Sequence, residues 1–102
     1  MTKFLFLFYG GKKITTQQER DEVMAAWGKW FTEMGGAVAD MGAPTMPGKL
    51  VNAKGVKEPG KNAATGYSVI QADNLEAAIA LAKKCPIIGF GGEVLVSSFM
   101  PM

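Results

Sequence analysis

Phe4-Leu5-Phe6-Leu7-Phe8-Tyr9 is a run of six large apolar or aromatic residues, preceded by Lys3 and closed by Gly10-Gly11. It is far too short to span a bilayer, which takes about 20 apolar residues in a helix. It is also too uniform for a strand with one wet face, which would alternate apolar with polar. The run therefore predicts a strand buried on both faces. Successive side chains on a strand project to opposite sides, so Phe4, Phe6 and Phe8 share one face while Leu5, Leu7 and Tyr9 share the other. Lys3 ahead of an apolar run mimics a secretory leader, but no small-residue cleavage site follows, so the strand reading is preferred.

Working outward, Gly10-Gly11-Lys12-Lys13 reads as a turn. Thr16-Gln17-Gln18-Glu19 has the spacing of a capping box, in which a hydroxyl and a carboxylate satisfy free amides at a helix start. Val23, Trp27, Trp30, Phe31 and Met34 then recur at helical spacing, and Gly35-Gly36 supplies a stop. A helix is expected over about 16 to 34, followed by a short strand at Ala37–Met41. Residues 42–66 are rich in Gly, Pro, Lys and Asn, and only Lys49–Ala53 reads as extended, a small edge strand. A connection of this length in a compact domain is usually functional, and a lid is the expectation. Tyr67–Gln71 is the next strand. Asp73 or Asn74 caps a second helix whose buried stripe is read as Leu75, Ala78, Ile79 and Ala82, and which Pro86 ends. Gly89, Gly91 and Gly92 make a turn into a last strand, Glu93–Phe99.

The order is strand–helix–strand twice, joined by the long loop. Short connections and right-handed crossovers close this pattern as one α+β domain over residues 1–102, a ferredoxin-like βαββαβ sheet with both helices on one face. The helices can then cover only one side of the first strand. Covering a large apolar side chain is worth roughly 1.5–3 kcal/mol, and a bare set of them exceeds what monomers usually expose. A two-fold homodimer pairing the open sheet faces is the expected solution.

Composition narrows the function. Net charge is +2 and the lysines are scattered rather than gathered into a stripe, which disfavours nucleic acid. No run is long enough for a membrane span. A single cysteine, Cys85, excludes an intrachain disulfide and fits a reducing compartment, so a cytoplasmic location is expected. There is no histidine. The commonest general base and the commonest zinc ligand are thus missing, along with every Ser-His or Cys-His nucleophile system. No cofactor and no metal site are expected.

Candidate functional residues are few. Asp40, at the end of the second strand, is the candidate base; the competing role is a turn residue bonded to nearby amides. Tyr9 is a candidate hydrogen-bond donor, and Tyr67 a candidate ligand contact; each also suits an amphipathic core position. Trp27 and Trp30 could stack on a flat ligand, although their spacing is equally that of a buried helix face. Cys85, before a proline at a helix C-terminus, makes a poor nucleophile. Met41 and Met46, with Met100 and Met102, could line an adaptable pocket or a subunit contact.

Several stretches resemble the YCII-related family, particularly its DGPF-type branch. They are the strand ending Tyr9-Gly10, the helix stretch Val23–Phe31, Gly66-Tyr67-Ser68-Val69-Ile70, Ala82-Lys83-Lys84-Cys85-Pro86 and Gly91-Gly92-Glu93-Val94. The resemblance covers almost the whole chain in order and implies a dimeric α+β barrel. It also implies, for part of the family, cofactor-independent chemistry on small ring compounds with a His-Asp pair. This chain departs from that pattern. Met24, Ala25 and Trp27 occupy the region where the histidine would fall, and Lys54–Lys61 lacks an Asp-Gly-Pro-Phe segment.

Three functions follow as expectations. The first is a small-molecule-binding homodimer with a cleft between helix one and the sheet, taking a small cyclic or aromatic ligand. The second is a cofactor-independent isomerase or lyase on a small cyclic substrate, with Asp40 as base and Tyr9 as donor. The third is a ligand-free interaction module.

Overall fold

The structure, a computed structural model, describes residues 1–11, 14–60 and 63–100. Strand β1 (Thr2–Tyr9) leads to helix α1 (Gln17–Met34), a single 3-10 turn (Gly35–Ala37) and β2 (Val38–Pro44). A small hairpin, β3 (Leu50–Asn52) and β4 (Gly55–Lys57), precedes β5 (Ala64–Ala72), α2 (Leu75–Ala82), the short α3 (Pro86–Gly89) and β6 (Glu93–Ser98). The main sheet runs β2-β5-β1-β6 with every neighbouring pair antiparallel, so the chain has the ferredoxin-like α+β arrangement.

Local chemistry explains the helix limits. The Thr16 hydroxyl accepts a hydrogen bond from the Glu19 amide at 3.1 Å, and Asn74, rather than Asp73, caps α2 by accepting from the Ala77 amide at 2.8 Å. At the far end of α1, Gly35 adopts φ +52° while its amide still reaches the Phe31 carbonyl.

The core lies between the helices and one face of the sheet. Phe4, Phe6 and Phe8 of β1, with Ser68, Ile70 and Ala72 of β5, are buried against Trp30 and Met34 of α1 and Ala78 and Ala82 of α2. Trp30 adds a polar tie: its indole N–H donates to the Leu81 carbonyl at 3.1 Å, linking α1 to the end of α2. The alternation expected of β1 is thus present. Leu5, Leu7 and Tyr9 lie on the opposite face, only half-buried. There Leu7 stands between Tyr67 and Leu95 in register, and Leu5 pairs with Val69.

Three expectations need correction, and a fourth, on Pro86, needs extending. On α2, Leu75 and Ile79 are exposed, and the buried stripe is Ala78 and Ala82 with Ala77 and Leu81 beside it; small alanines let the helix sit close to the sheet. Pro86 does end α2, but it also occupies the first turn of α3, where its missing N–H costs nothing. The edge strand expected at Lys49–Ala53 pairs not with the main sheet but with Gly55–Lys57, in a hairpin of its own. Strand β2 continues past Met41 to Pro44 by way of a bulge. The Gly10–Lys13 turn and the tail from Phe99 fall partly outside the described residues.

Candidate functional site

The bulge in β2 shapes the site. Pairing with β5 shifts register between Val38 and Asp40 and again between Asp40 and Ala43. Gly42 makes the second shift possible at φ +70°, and a Cβ there would lie 1.8 Å from the Tyr67 carbonyl oxygen. Two bonds hold the bulge. The Asp40 carboxylate accepts from the Gly42 amide at 2.8 Å, and the buried Ser68 hydroxyl donates to the Met41 carbonyl at 2.7 Å.

Between this bulged strand and α1 lies a cleft of about 560 Å³. The helix contributes Val23, Met24, Trp27, Gly28 and Phe31; the sheet contributes the Phe8 ring and the stretches 41–44 and 65–68. Gly10, Gly11, Ile14, Ile87 and Phe90 close one end. The apolar stripe of α1 is therefore divided. Trp30 and Met34 go into the core, while Val23, Trp27 and Phe31 border the cleft and stay partly exposed. Trp27 is braced edge-on by Phe8 (ring centroids 4.9 Å apart) and by Trp30 (5.6 Å), with Phe31 tilted against it at 6.0 Å.

The wall is overwhelmingly apolar. Two of its hydroxyls are engaged: Thr65 donates to the Phe8 carbonyl at 3.1 Å, and Ser68 to Met41 as above. Among the described residues the wall holds no Asp, Glu, Lys, Arg or Cys, and no group of side chains suited to hold a metal ion occurs.

The sequence candidates are dispersed. Trp27 is in the wall. Trp30 is not: it is 3 % exposed, with its N–H already used. Tyr67 borders the cleft, but it alternates with buried Gly66 and Ser68, so its side chain belongs to the open face beside Leu7. Tyr9 is on that same open face, opposite Glu93. Asp40 is exposed and outside the wall, its carboxylate spent on the turn at Gly42. The base role needed a carboxylate aimed into an apolar pocket, and that arrangement is not what the bulge provides. Of the described residues in the 42–66 segment, those up to Pro44 and from Thr65 border the cleft, and the β3–β4 hairpin is not part of the wall.

Sequence alone does not point to Ile87 and Phe90, because a four-residue helix between Cys85 and Phe90 carries too little periodicity to orient them. Met41, expected as a pocket or contact residue, does border the cleft and is 60 % exposed. Cys85 is buried, and that burial pushes its thiol from 9.0 up to about 11, with the Ile87 amide pulling weakly the other way. Desolvation, rather than a helix terminus, is the main cause of that shift, which disfavours the nucleophilic thiolate.

The model of the YCII-related domain matches residues 3–99 of the chain. No curated protein matches it. Among solved structures, the fold is similar to the 5-chloro-2-hydroxyhydroquinone dehydrochlorinase of Burkholderia phenoliruptrix AC1100, in its complex with 2,5-dihydroxybenzoquinone. The TM-score is 0.56 at 17% sequence identity, covering 96% of this chain and 95% of that one. Among the described residues, no helix is long and apolar enough to cross a membrane.

Proposed function

We propose that this chain, which belongs to the YCII-related family, works as a homodimer that binds one small cyclic or aromatic compound per subunit in the cleft between α1 and the sheet. The cleft carries this reading. A volume of about 560 Å³ is in the range of small-molecule sites. Its wall presents the partly exposed Trp27 ring, braced by neighbouring aromatics, to whatever enters. The structural relative, which shares the fold, was solved with a small cyclic compound.

The dimer is supported from the other side of the sheet. Leu5, Leu7, Tyr9, Tyr67, Val69 and Leu95 share the face that the helices leave open, and Leu95 is 49 % exposed. Apolar residues gathered on one open face favour a self-complementary partner. Binding is favoured over isomerase or lyase chemistry because Asp40 and Tyr9, the base and donor that chemistry would use, do not meet at the cleft.

Native mass spectrometry of the purified protein tests both parts together. A mass of two chains, with a small molecule lost on activation, is the expected result. A monomer at micromolar concentration refutes the dimer, and a dimer from which no added ring compound can be recovered refutes the binding role.

A further inference from the structure

We infer that the occupant of the cleft is uncharged: the site selects neutral, largely apolar ring compounds and rejects the anionic and cationic forms of the same ring. This rests on the binding role proposed above and specifies its chemistry. Three observations carry it. First, the described wall has no charged side chain to compensate an ionised ligand. Second, the wall hydroxyls of Thr65 and Ser68 already donate to backbone carbonyls, and Ser68 is fully buried, so neither hydroxyl proton is available to an anion. Among the described residues, the side-chain donors of the wall without an acceptor are the indole N–H of Trp27 and the hydroxyl of Tyr67, which suit a carbonyl or ether oxygen and do not balance a full charge. Third, the border is apolar too: Met24 (68 % exposed), Met41 and Ile14 are large hydrophobic residues left in water next to this cleft.

An ion entering such a space gives up its hydration and meets no counter-charge among the described wall residues, whereas a neutral ring gives up little and gains contact with Trp27 and Phe31. Discrimination by charge at constant ring shape is the consequence.

The experiment is isothermal titration calorimetry at neutral pH with three probes sharing one ring system: naphthol, naphthoate and naphthylmethylammonium. Naphthol is expected to bind at least tenfold more tightly than either ion. Gly28→Leu places a side chain into the cleft from a helix position where an added Cβ meets nothing within 4 Å. It is expected to weaken naphthol at least tenfold while the variant melts no lower than the parent protein. Trp27→Leu should weaken naphthol as well. If either ion binds as tightly as naphthol, charge selection is refuted and the cleft remains a binding site. Tight binding of the anion counts against charge selection whether or not Lys12→Ala/Lys13→Ala abolishes it. If no probe binds, or if Gly28→Leu leaves every affinity unchanged, the cleft is not the site and the binding role fails with it.

Discussion

Gly42→Ala should be among the most damaging single-methyl additions this protein can suffer. The residue sits at φ +70°, where an L side chain costs about 1–2 kcal/mol. The larger penalty is steric. The new Cβ would lie 1.8 Å from the Tyr67 carbonyl oxygen and 2.7 Å from its carbon, whereas ordinary contact begins near 3.4 Å. Both obstacles are backbone atoms of the neighbouring strand, so no rotamer change relieves them. Strand β2 must move off β5 by more than an ångström. That motion strains the Ala43–Tyr67 pairing and the hydrogen bond from Ser68 to the Met41 carbonyl. One lost hydrogen bond with a stranded buried hydroxyl adds about 1–3 kcal/mol. Together these terms give about 2–5 kcal/mol, a large part of the 5–15 kcal/mol typical of a domain.

Urea unfolding followed by tryptophan fluorescence and by circular dichroism reads this directly. For a domain near 100 residues the same loss corresponds to a fall in Tm of about 8 °C or more. Gly48→Ala, where an added Cβ meets nothing, is the control and should be nearly silent. Gly42→Asn separates the two causes. Asparagine tolerates a left-handed backbone but still carries a Cβ, so it should be almost as damaging as alanine. A loss below 1 kcal/mol for Gly42→Ala refutes the close approach of the two strands. Asparagine rescuing most of the loss leaves only a conformational cost and refutes the steric account.

Gly28→Ala should stabilise the protein by up to about 1 kcal/mol, because the residue lies within α1, is exposed and has free space around its Cβ; a chemical melt checks it. Trp30→Phe should cost about 1–3 kcal/mol through the lost bond to the Leu81 carbonyl and the lost ring volume, read by the same melt. Cys85 has its folded pKa raised, so the unfolded chain releases its thiol proton first; stability should decline as pH rises from 9.0 toward about 11, and Cys85→Ser should lose that part of the pH dependence in melts across this range. In the folded protein the same thiol should react with a disulfide reagent at neutral pH only as fast as the chain opens.

The fold is legible in the sequence because its signals are local and mutually consistent. Three phenylalanines alternating with two leucines and a tyrosine in β1 demand two buried faces, and Thr16, Gly35 and Asn74 mark helix ends by hydrogen bonds made within a few residues. What is not legible depends on distance in sequence. Asp40 reads equally as a catalytic carboxylate or a turn residue, and only the approach of Gly42 to Tyr67, 25 residues apart in numbering, decides for the turn. Trp27 and Trp30 carry the same helical spacing, yet Leu81 claims one indole and the cleft receives the other. The buried side of α2 is hidden for a related reason: hydrophobicity favours Leu75 and Ile79, while the side that packs against the sheet carries Ala78 and Ala82. Periodicity reports that a face is buried, and not how deep the neighbour lies.

The same β1 side chains that identify the fold also divide its surfaces. On the helix side Phe8 braces Trp27 at the wall of the cleft; on the other side Leu5, Leu7 and Tyr9 remain half-buried without a helix to cover them. Neither feature is what stability alone would select. A helix that settled onto the sheet along its whole stripe would bury Val23, Trp27 and Phe31 as fully as it buries Trp30, at about 25 cal/mol for each Å² removed from water. The bulge at Gly42 reroutes the edge strand at this point, and the space between it and α1 is left open. Met24, Met41 and Ile14 are exposed at this cleft, where polar residues would improve solubility at little structural cost. Apolar side chains concentrated around one cleft, at positions where water would favour charge, are best explained by an occupant that is itself apolar.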